Sequence, residues 1–215
     1  MITRRKRIRL LQLGWLVAGA LGILLLAGGF QSPAEKVAVV DIPKLVDQSE
    51  FGKGNQQTRL VMRTAREKVL EFIDTNRVLT LEQAQKIRDL GLKTVPTAEE
   101  SAGLETVKAE VIASNKKWQE LSTRASLTPE ERTLIEEYAR RSQTMADVEK
   151  RWFQEFSTEM ETWDNKQNVA AIEKARGAIA EAAKAQGFGL VFEVSVAPYG
   201  ANDLTAAALQ AMNGK

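Results

Sequence analysis

Two charge-dense stretches, 128–141 and 149–161, hold the residues whose types and spacing come closest to catalytic chemistry. Paired carboxylates do acid–base work when a pocket drives their pKa values apart. Here the charges alternate in sign, and pairs such as Glu137 and Arg141 lie four residues apart, which is typical of a solvated helix face. No pocket-forming sequence surrounds them. The pattern favours a charged helix surface over an active site.

The residue types that are missing narrow the function further. The 215 residues include no cysteine and no histidine, which excludes serine–histidine and cysteine–histidine catalysis and sulfur-ligated zinc. The sequence has no phosphate-binding loop, no dinucleotide fingerprint and no metal-ligand spacing. We therefore expect no catalytic residue, cofactor or metal site, and a binding or structural protein rather than an enzyme.

The first 34 residues are typical of a targeting segment. Five arginines and lysines fall within residues 1–9, and residues 10–30 are apolar except for Gln12. A helix of that length spans roughly 31 Å, about one hydrocarbon core, which favours a membrane anchor. Glycines dilute the run, and two small-x-small sites end at Gly29 and Ala34, which fit a cleaved signal peptide. Residues 1–34 are thus predicted to be a signal peptide or an N-terminal anchor.

Both alternatives place the rest of the chain outside the cytoplasm, because basic flanks stay on the cytoplasmic side. We expect a periplasmic protein, either free or tethered to the inner membrane through residues 10–30. Residues 35–215 hold 25 basic and 28 acidic side chains, so their net charge is −3. The basic character of the chain belongs to its first nine residues, and no nucleic-acid partner is predicted.

Three capping boxes predict the starts of helices. Thr80, Thr97 and Thr128 are each followed three residues later by glutamine or glutamate. After Pro129 about 58 residues have helical composition, enough for a helix of roughly 87 Å. The preceding pieces, 55–78, 81–90 and 98–124, would reach about the same length if laid end to end. A long antiparallel hairpin is therefore predicted, with its tip near residues 125–128.

Strand-forming sequence occurs at the two ends of the exported region. Residues 37–40 and 190–196 are rich in β-branched and aromatic side chains, and Gly52 and Gly54 interrupt the helical sequence after the first strand. The predicted fold class is α+β and predominantly helical. A hairpin arm at 55–186 projects from a discontinuous β-rich head at 35–54 and 187–215. A sheet this small buries little alone, so we expect oligomerisation through Val37, Val39, Val40, Leu190, Phe192, Val194 and Val196.

Particular residues in this order resemble the OmpH/Skp family of periplasmic chaperones. The matching pieces are residues 36–41, then 187–192, 196–199 and 203–205. The resemblance covers 36–54 and about 165–213 well, and the middle of the chain only in character. It implies a trimer whose three helical arms enclose unfolded outer-membrane proteins. This chain departs from the family in the near-neutral charge of its exported region and in the capping boxes that break its outgoing leg.

The function predicted from this resemblance is an ATP-independent holdase, with unfolded outer-membrane proteins and two further copies of the chain as partners. The alternative is an inner-membrane-anchored coiled-coil scaffold or spacer of the envelope that holds no client. Among the aromatic residues, Trp152 and Phe156 continue the helical stripe and are expected in the core. The predicted client contacts are Trp118, Phe153 and Trp163, since Phe153 lies about 100° around the helix from Trp152.

Overall fold

The computed structural model describes residues 36–214, so the predicted signal peptide or anchor lies outside the described residues. The chain is predominantly helical with one small parallel sheet, as the sequence predicts at this coarser level. No helix within 36–214 is both long and apolar enough to cross a membrane. The elements are β1 (Val37–Val40), α1 (Ile42–Gln48), α2 (Glu50–Thr75), α3 (Leu81–Gly91), α4 (Ala98–Ser122), α5 (Pro129–Gln186), β2 (Leu190–Glu193) and α6 (Thr205–Asn213).

All three predicted capping boxes are confirmed. Thr80, Thr97 and Thr128 each accept a hydrogen bond from the backbone N–H three residues on, and that residue's side chain accepts from the threonine N–H. The predicted long helix is also confirmed, because α5 runs unbroken for 58 residues to Gln186 and is capped by Gly187. Gly187 has a φ of 72°, a left-handed conformation that glycine adopts at no steric cost.

The two ends of the described chain meet in one sheet. β1 pairs in parallel with β2, with Val37 opposite Leu190 and Val40 opposite Glu193. On its other side, Val39 exchanges backbone hydrogen bonds of 2.8 Å with the 202–204 segment. β1 therefore lies between β2 and the 202–204 segment, which explains why Ala38, Val39 and Val40 are buried.

The second strand is shorter than predicted. β2 ends at Glu193, and residues 194–196 form a turn in which the Val196 N–H donates to the Glu193 carbonyl over 2.9 Å. Val196, predicted to lie in the strand, lies in this turn and is 71% exposed. The Val194 N–H still donates to the carbonyl of Val40, the last residue of β1. Because β1 ends there, residues beyond Val194 have no strand to pair with, although their apolar alternation continues.

The expected break at Gly52 and Gly54 is wrong, because α2 begins at Glu50 and runs through both glycines. A Cβ on Gly52 would lie 2.0 Å from the Val46 carbonyl oxygen, so a glycine is required where α2 passes α1. Ser49 caps α2 by accepting from the Gly52 N–H over 2.9 Å. Glycine here permits close approach and does not end the helix.

The summed length of the outgoing helices suggested that they lie end to end, but the structure shows a different arrangement. Arg66 of α2 pairs with Glu159 of α5, and Arg77, just after the end of α2, pairs with Glu149 nearer the start of α5, so α2 and α5 run antiparallel. On α3, Arg88 pairs with Glu155 at 2.7 Å, which brings the chain back toward the level of Arg66. α3 therefore reverses direction beside α2.

The next helix reverses direction again. The Gln83 amide of α3 donates to Glu110 of α4 over 3.4 Å, and Lys93 after α3 pairs with Glu100 in the first turn of α4. The middle of the molecule thus has four helical segments side by side, not two. Val78 and Leu79, in the turn between α2 and α3, are fully buried and hold that reversal in place.

Two separate apolar cores result. The terminal core packs one face of the sheet and α6 against the end of α5; its buried members are Ala38, Val40, Leu45, Ala175, Ala182, Ala183, Leu204 and Ala208. The four-helix core lies between α2, α3, α4 and α5; its buried members are Val69, Ile73, Leu79, Ala84, Ile87, Val107, Val111, Met145, Val148, Trp152 and Phe156.

The attachment of α6 to the sheet predicts a pH dependence. Hydrogen bonds from Thr205, with a smaller contribution from the charge of Lys44, lower the pKa of Asp203, which accepts from the Thr205 N–H over 2.8 Å. The stabilisation is then present above the unfolded value of about 3.9 and is lost as the pH falls through the lower folded value. We expect Asp203→Asn to reduce the acid sensitivity of amide exchange in β1. An equal difference between variant and wild type at pH 6 and pH 3 would contradict this.

Candidate functional site

The most distinctive side-chain arrangement lies on the surface of the four-helix core. Trp152 and Phe156 lie on adjacent turns of α5, with their ring centroids 6.4 Å apart, and both side chains are 3% exposed. Both were expected in the core from their helical spacing. Because residues three and four apart lie on the same face of a helix, these two rings form one continuous wall against α2 and α3.

Two arginines from different helices close over that wall. The Arg88 guanidinium of α3 lies 5.0 Å from the Trp152 ring centroid and 5.1 Å from that of Phe156, and the Arg66 guanidinium of α2 lies 5.6 Å from Phe156. Each also pairs with a glutamate of α5: Arg66 with Glu159 at 2.8 Å and Arg88 with Glu155 at 2.7 Å. Such cation–π contacts contribute roughly 0.5–2 kcal/mol each. The arginines fasten α2 and α3 to α5.

Sequence reasoning missed these arginines. Each stands in a charged helix that looks solvated from its local pattern, and each partner lies more than 65 residues away in the chain. Only the reversal of α3 brings Arg88 to Trp152, and no local spacing encodes that reversal.

A groove opens beside this wall, between α2 and α5. Its apolar lining is Leu70, Phe153, Phe156 and Met160, and its volume is about 230 Å³. Arg63, Arg66, Glu67 and Ser157 form its rim. Phe153 is 63% exposed, whereas large aromatic side chains are mostly buried in folded proteins. We call this feature the α2/α5 groove.

The three predicted client contacts have different positions. Phe153 is exposed and lines the α2/α5 groove, about 100° around α5 from buried Trp152. Trp118, near the end of α4, and Trp163, in α5, are both half-buried and do not line it. The structure therefore does not bring the three residues together into one site.

The predicted association residues divide between inside and outside. Val39 and Val40 are buried within the chain, so their side chains face their own protomer. Val194 is half-buried. Val37, Leu190 and Phe192 are exposed on one face of the sheet, which we call the open sheet face, and Val196 is exposed in the turn beyond β2. Within residues 36–214, β1 is the only strand that neighbours β2.

A polar cleft separates the two cores. Between Gly52 and Val69 on α2, and between Phe156 and Ala171 on α5, no residue is buried. The helices meet there through Arg59, whose Nε lies 2.8 Å from Asp164, beside a cleft of about 290 Å³ lined by amides including Asn55, Gln167 and Asn168. In the described part of the chain, no group of three or more acidic side chains is placed to hold a metal ion.

Comparison with known proteins adds no relative: no family model, curated protein or solved structure matches the chain. The resemblance to the OmpH/Skp family therefore remains a prediction that depends on the residues quoted for it.

Proposed function

We propose that this protein is a periplasmic, ATP-independent holdase that binds unfolded outer-membrane proteins between helical arms projecting from a trimeric head. The observation that carries the proposal is the exposed apolar side chain of Phe153 at the α2/α5 groove, on a helix where Tyr138, Trp152 and Phe156 are buried. Exposed apolar surface marks interaction sites. The resemblance of the chain ends to the OmpH/Skp family supplies the client class.

Further apolar side chains lie exposed along the same helices. They are Leu60 and Val61 on α2, Ile112 on α4, and Val169 and Ile172 on α5. Scattered singly, such residues need no explanation. In a holdase they would give many weak contacts, and no residue would have a chemical role.

The holdase is tested by diluting a urea-unfolded outer-membrane β-barrel into buffer and following light scattering. We expect the full-length protein to suppress scattering at one trimer per client. Bovine serum albumin at the same mass concentration controls for nonspecific adsorption. No suppression at stoichiometric trimer would eliminate the proposal.

Assembly through the open sheet face is a separate prediction. Phe192 is exposed on β2, so a second copy that packs on this face would bury it, and a central apolar contact contributes about 2 kcal/mol or more. We expect Phe192→Glu to weaken self-association at least about 30-fold, measured by light scattering after size exclusion. Val95→Glu is the matched control, since Val95 is 85% exposed in the loop between α3 and α4. Equal behaviour of the two variants would contradict assembly through this face.

The scaffold alternative is favoured by one observation. Within the four-helix core, the apolar stripe of α5 is covered by α2, α3 and α4 of the same chain. A rigid spacer needs no more than this internal packing. A spacer would keep its anchor, so N-terminal sequencing of the exported protein distinguishes the two. A chain beginning at Met1 supports the scaffold, and one beginning near Phe30 or Glu35 supports the holdase.

A further inference from the structure

We infer that the α2/α5 groove is a subsite for one aromatic or large aliphatic side chain of an extended, unfolded polypeptide. This inference depends on the proposed holdase function and assigns one site of client contact to named residues. The groove offers Leu70, Phe153 and Met160 around the buried ring of Phe156.

The size of the groove selects its occupant. At about 230 Å³ it is smaller than the pockets of roughly 300–1,000 Å³ that enclose whole small ligands. A stable complex between folded proteins buries about 800 Å² on each partner, which four apolar residues cannot supply when Phe156 is already covered. A single side chain carried by a flexible chain fits these limits, and a folded partner does not.

The rim of the groove selects against charge. Arg63 pairs with Glu67 at 2.9 Å, and Arg66 pairs with Glu159 at 2.8 Å, so both arginines have their carboxylates within the protein. The rim therefore presents compensated charges, and an occupant with its own charge would have to compete with them. An uncharged apolar side chain meets no such competition.

The walls of the groove differ in how tightly they are packed, which suits a subsite for variable side chains. One wall is the four-helix core, where Phe156 is held by the Arg66 and Arg88 guanidinium groups. The other wall consists of Phe153, which is mostly exposed, and Met160, whose flexible thioether side chain adapts to different shapes. A fixed floor with an adaptable edge can accept phenylalanine, leucine or tyrosine in turn.

The absence of native cysteine allows a direct test by disulfide tethering. Ser157 lies on the rim, and its hydroxyl donates to the Phe153 carbonyl over 2.8 Å. Thr158 is the matched control: it is the next residue, is exposed, and donates to the Gln154 carbonyl over 3.0 Å, but does not line the groove. Full-length Ser157→Cys and Thr158→Cys are equilibrated with phenethyl and hydroxyethyl disulfides under a weak thiol buffer.

We expect the phenethyl group to be favoured about tenfold over the hydroxyethyl group at Ser157→Cys, with no preference at Thr158→Cys. Adding Phe153→Ser to Ser157→Cys should remove most of that preference. An unfolded outer-membrane β-barrel should block tethering at Ser157→Cys. Excess wild-type protein, which carries no thiol, should not block tethering.

Three results would overturn the inference: no aromatic preference, equal preference at both positions, or blocking by excess wild-type protein, which would make a second copy the occupant. The two proposals fail separately. If wild type suppresses client aggregation but Ser157→Cys shows no aromatic preference, the subsite is wrong and the holdase stands. If wild type suppresses nothing and the unfolded barrel does not block tethering, both are wrong.

Discussion

Replacing Trp152 with alanine is expected to lower the free energy of unfolding by about 3–5 kcal/mol, the usual cost of removing a large buried aromatic side chain. Trp152 is 3% exposed in the four-helix core, and the Arg88 guanidinium of α3 lies 5.0 Å from its ring. The substitution therefore removes both the packing and the cation–π contact that fasten α3 to α5. Urea unfolding followed by circular dichroism measures the loss.

The neighbouring residue provides the control. Phe153→Ala removes a similar aromatic group from the same helix, but Phe153 is 63% exposed, so its loss should change stability by roughly 0.5 kcal/mol or less. Native-state amide exchange should also become faster in α3 for Trp152→Ala and not for Phe153→Ala. Equal destabilisation by the two variants would mean that the four-helix core is not packed as described.

A second large effect is expected where α2 crosses α1. Gly52→Ala places a Cβ only 2.0 Å from the Val46 carbonyl oxygen, far inside van der Waals contact. Overpacking of this kind costs about 1–3 kcal/mol, and here it outweighs the roughly 1 kcal/mol that alanine contributes in a helix interior. The melting temperature should therefore fall.

Gly54, two residues on in the same helix, is the matched control. A Cβ there would have no neighbouring atom within 4 Å, so Gly54→Ala gains the helix propensity without the clash. We expect stabilisation by about 0.5–1 kcal/mol and a higher melting temperature. Opposite shifts for two glycines in one helix identify the close approach as the cause. Stabilisation by both variants would show that α1 and α2 are not in contact at Gly52.

The helices were largely predictable because their signals are local. Each threonine with its glutamine or glutamate three residues on forms a complete capping box, and the uninterrupted stretch after Pro129 became one helix. The direction of α3 was not predictable. Its start and end are marked by Thr80 and Gly91, but the reversal depends on the burial of Val78 and Leu79 and on the pairing of Arg88 with Glu155, both long-range facts.

The candidate site was predictable only in part. The spacing of Trp152 and Phe156 placed both in the core, and the 100° offset placed Phe153 outside it, where the structure has it. The α2/α5 groove could not be inferred, since Leu70 comes from another helix and its register against Phe153 is set by ion pairs such as Arg66–Glu159. The association residues were chosen by alternation alone, which cannot tell Val39, covered by the 200–204 segment, from Val37.

The holdase proposal is tested most directly by isolating the complex. The full-length protein is mixed with an isotope-labelled, urea-unfolded outer-membrane β-barrel, diluted, and passed through size exclusion with light scattering. We expect one soluble species with the mass of a trimer plus one client, in which the client's amide spectrum stays that of an unfolded chain. Recovery of the protein alone, with the client in the pellet, would contradict it.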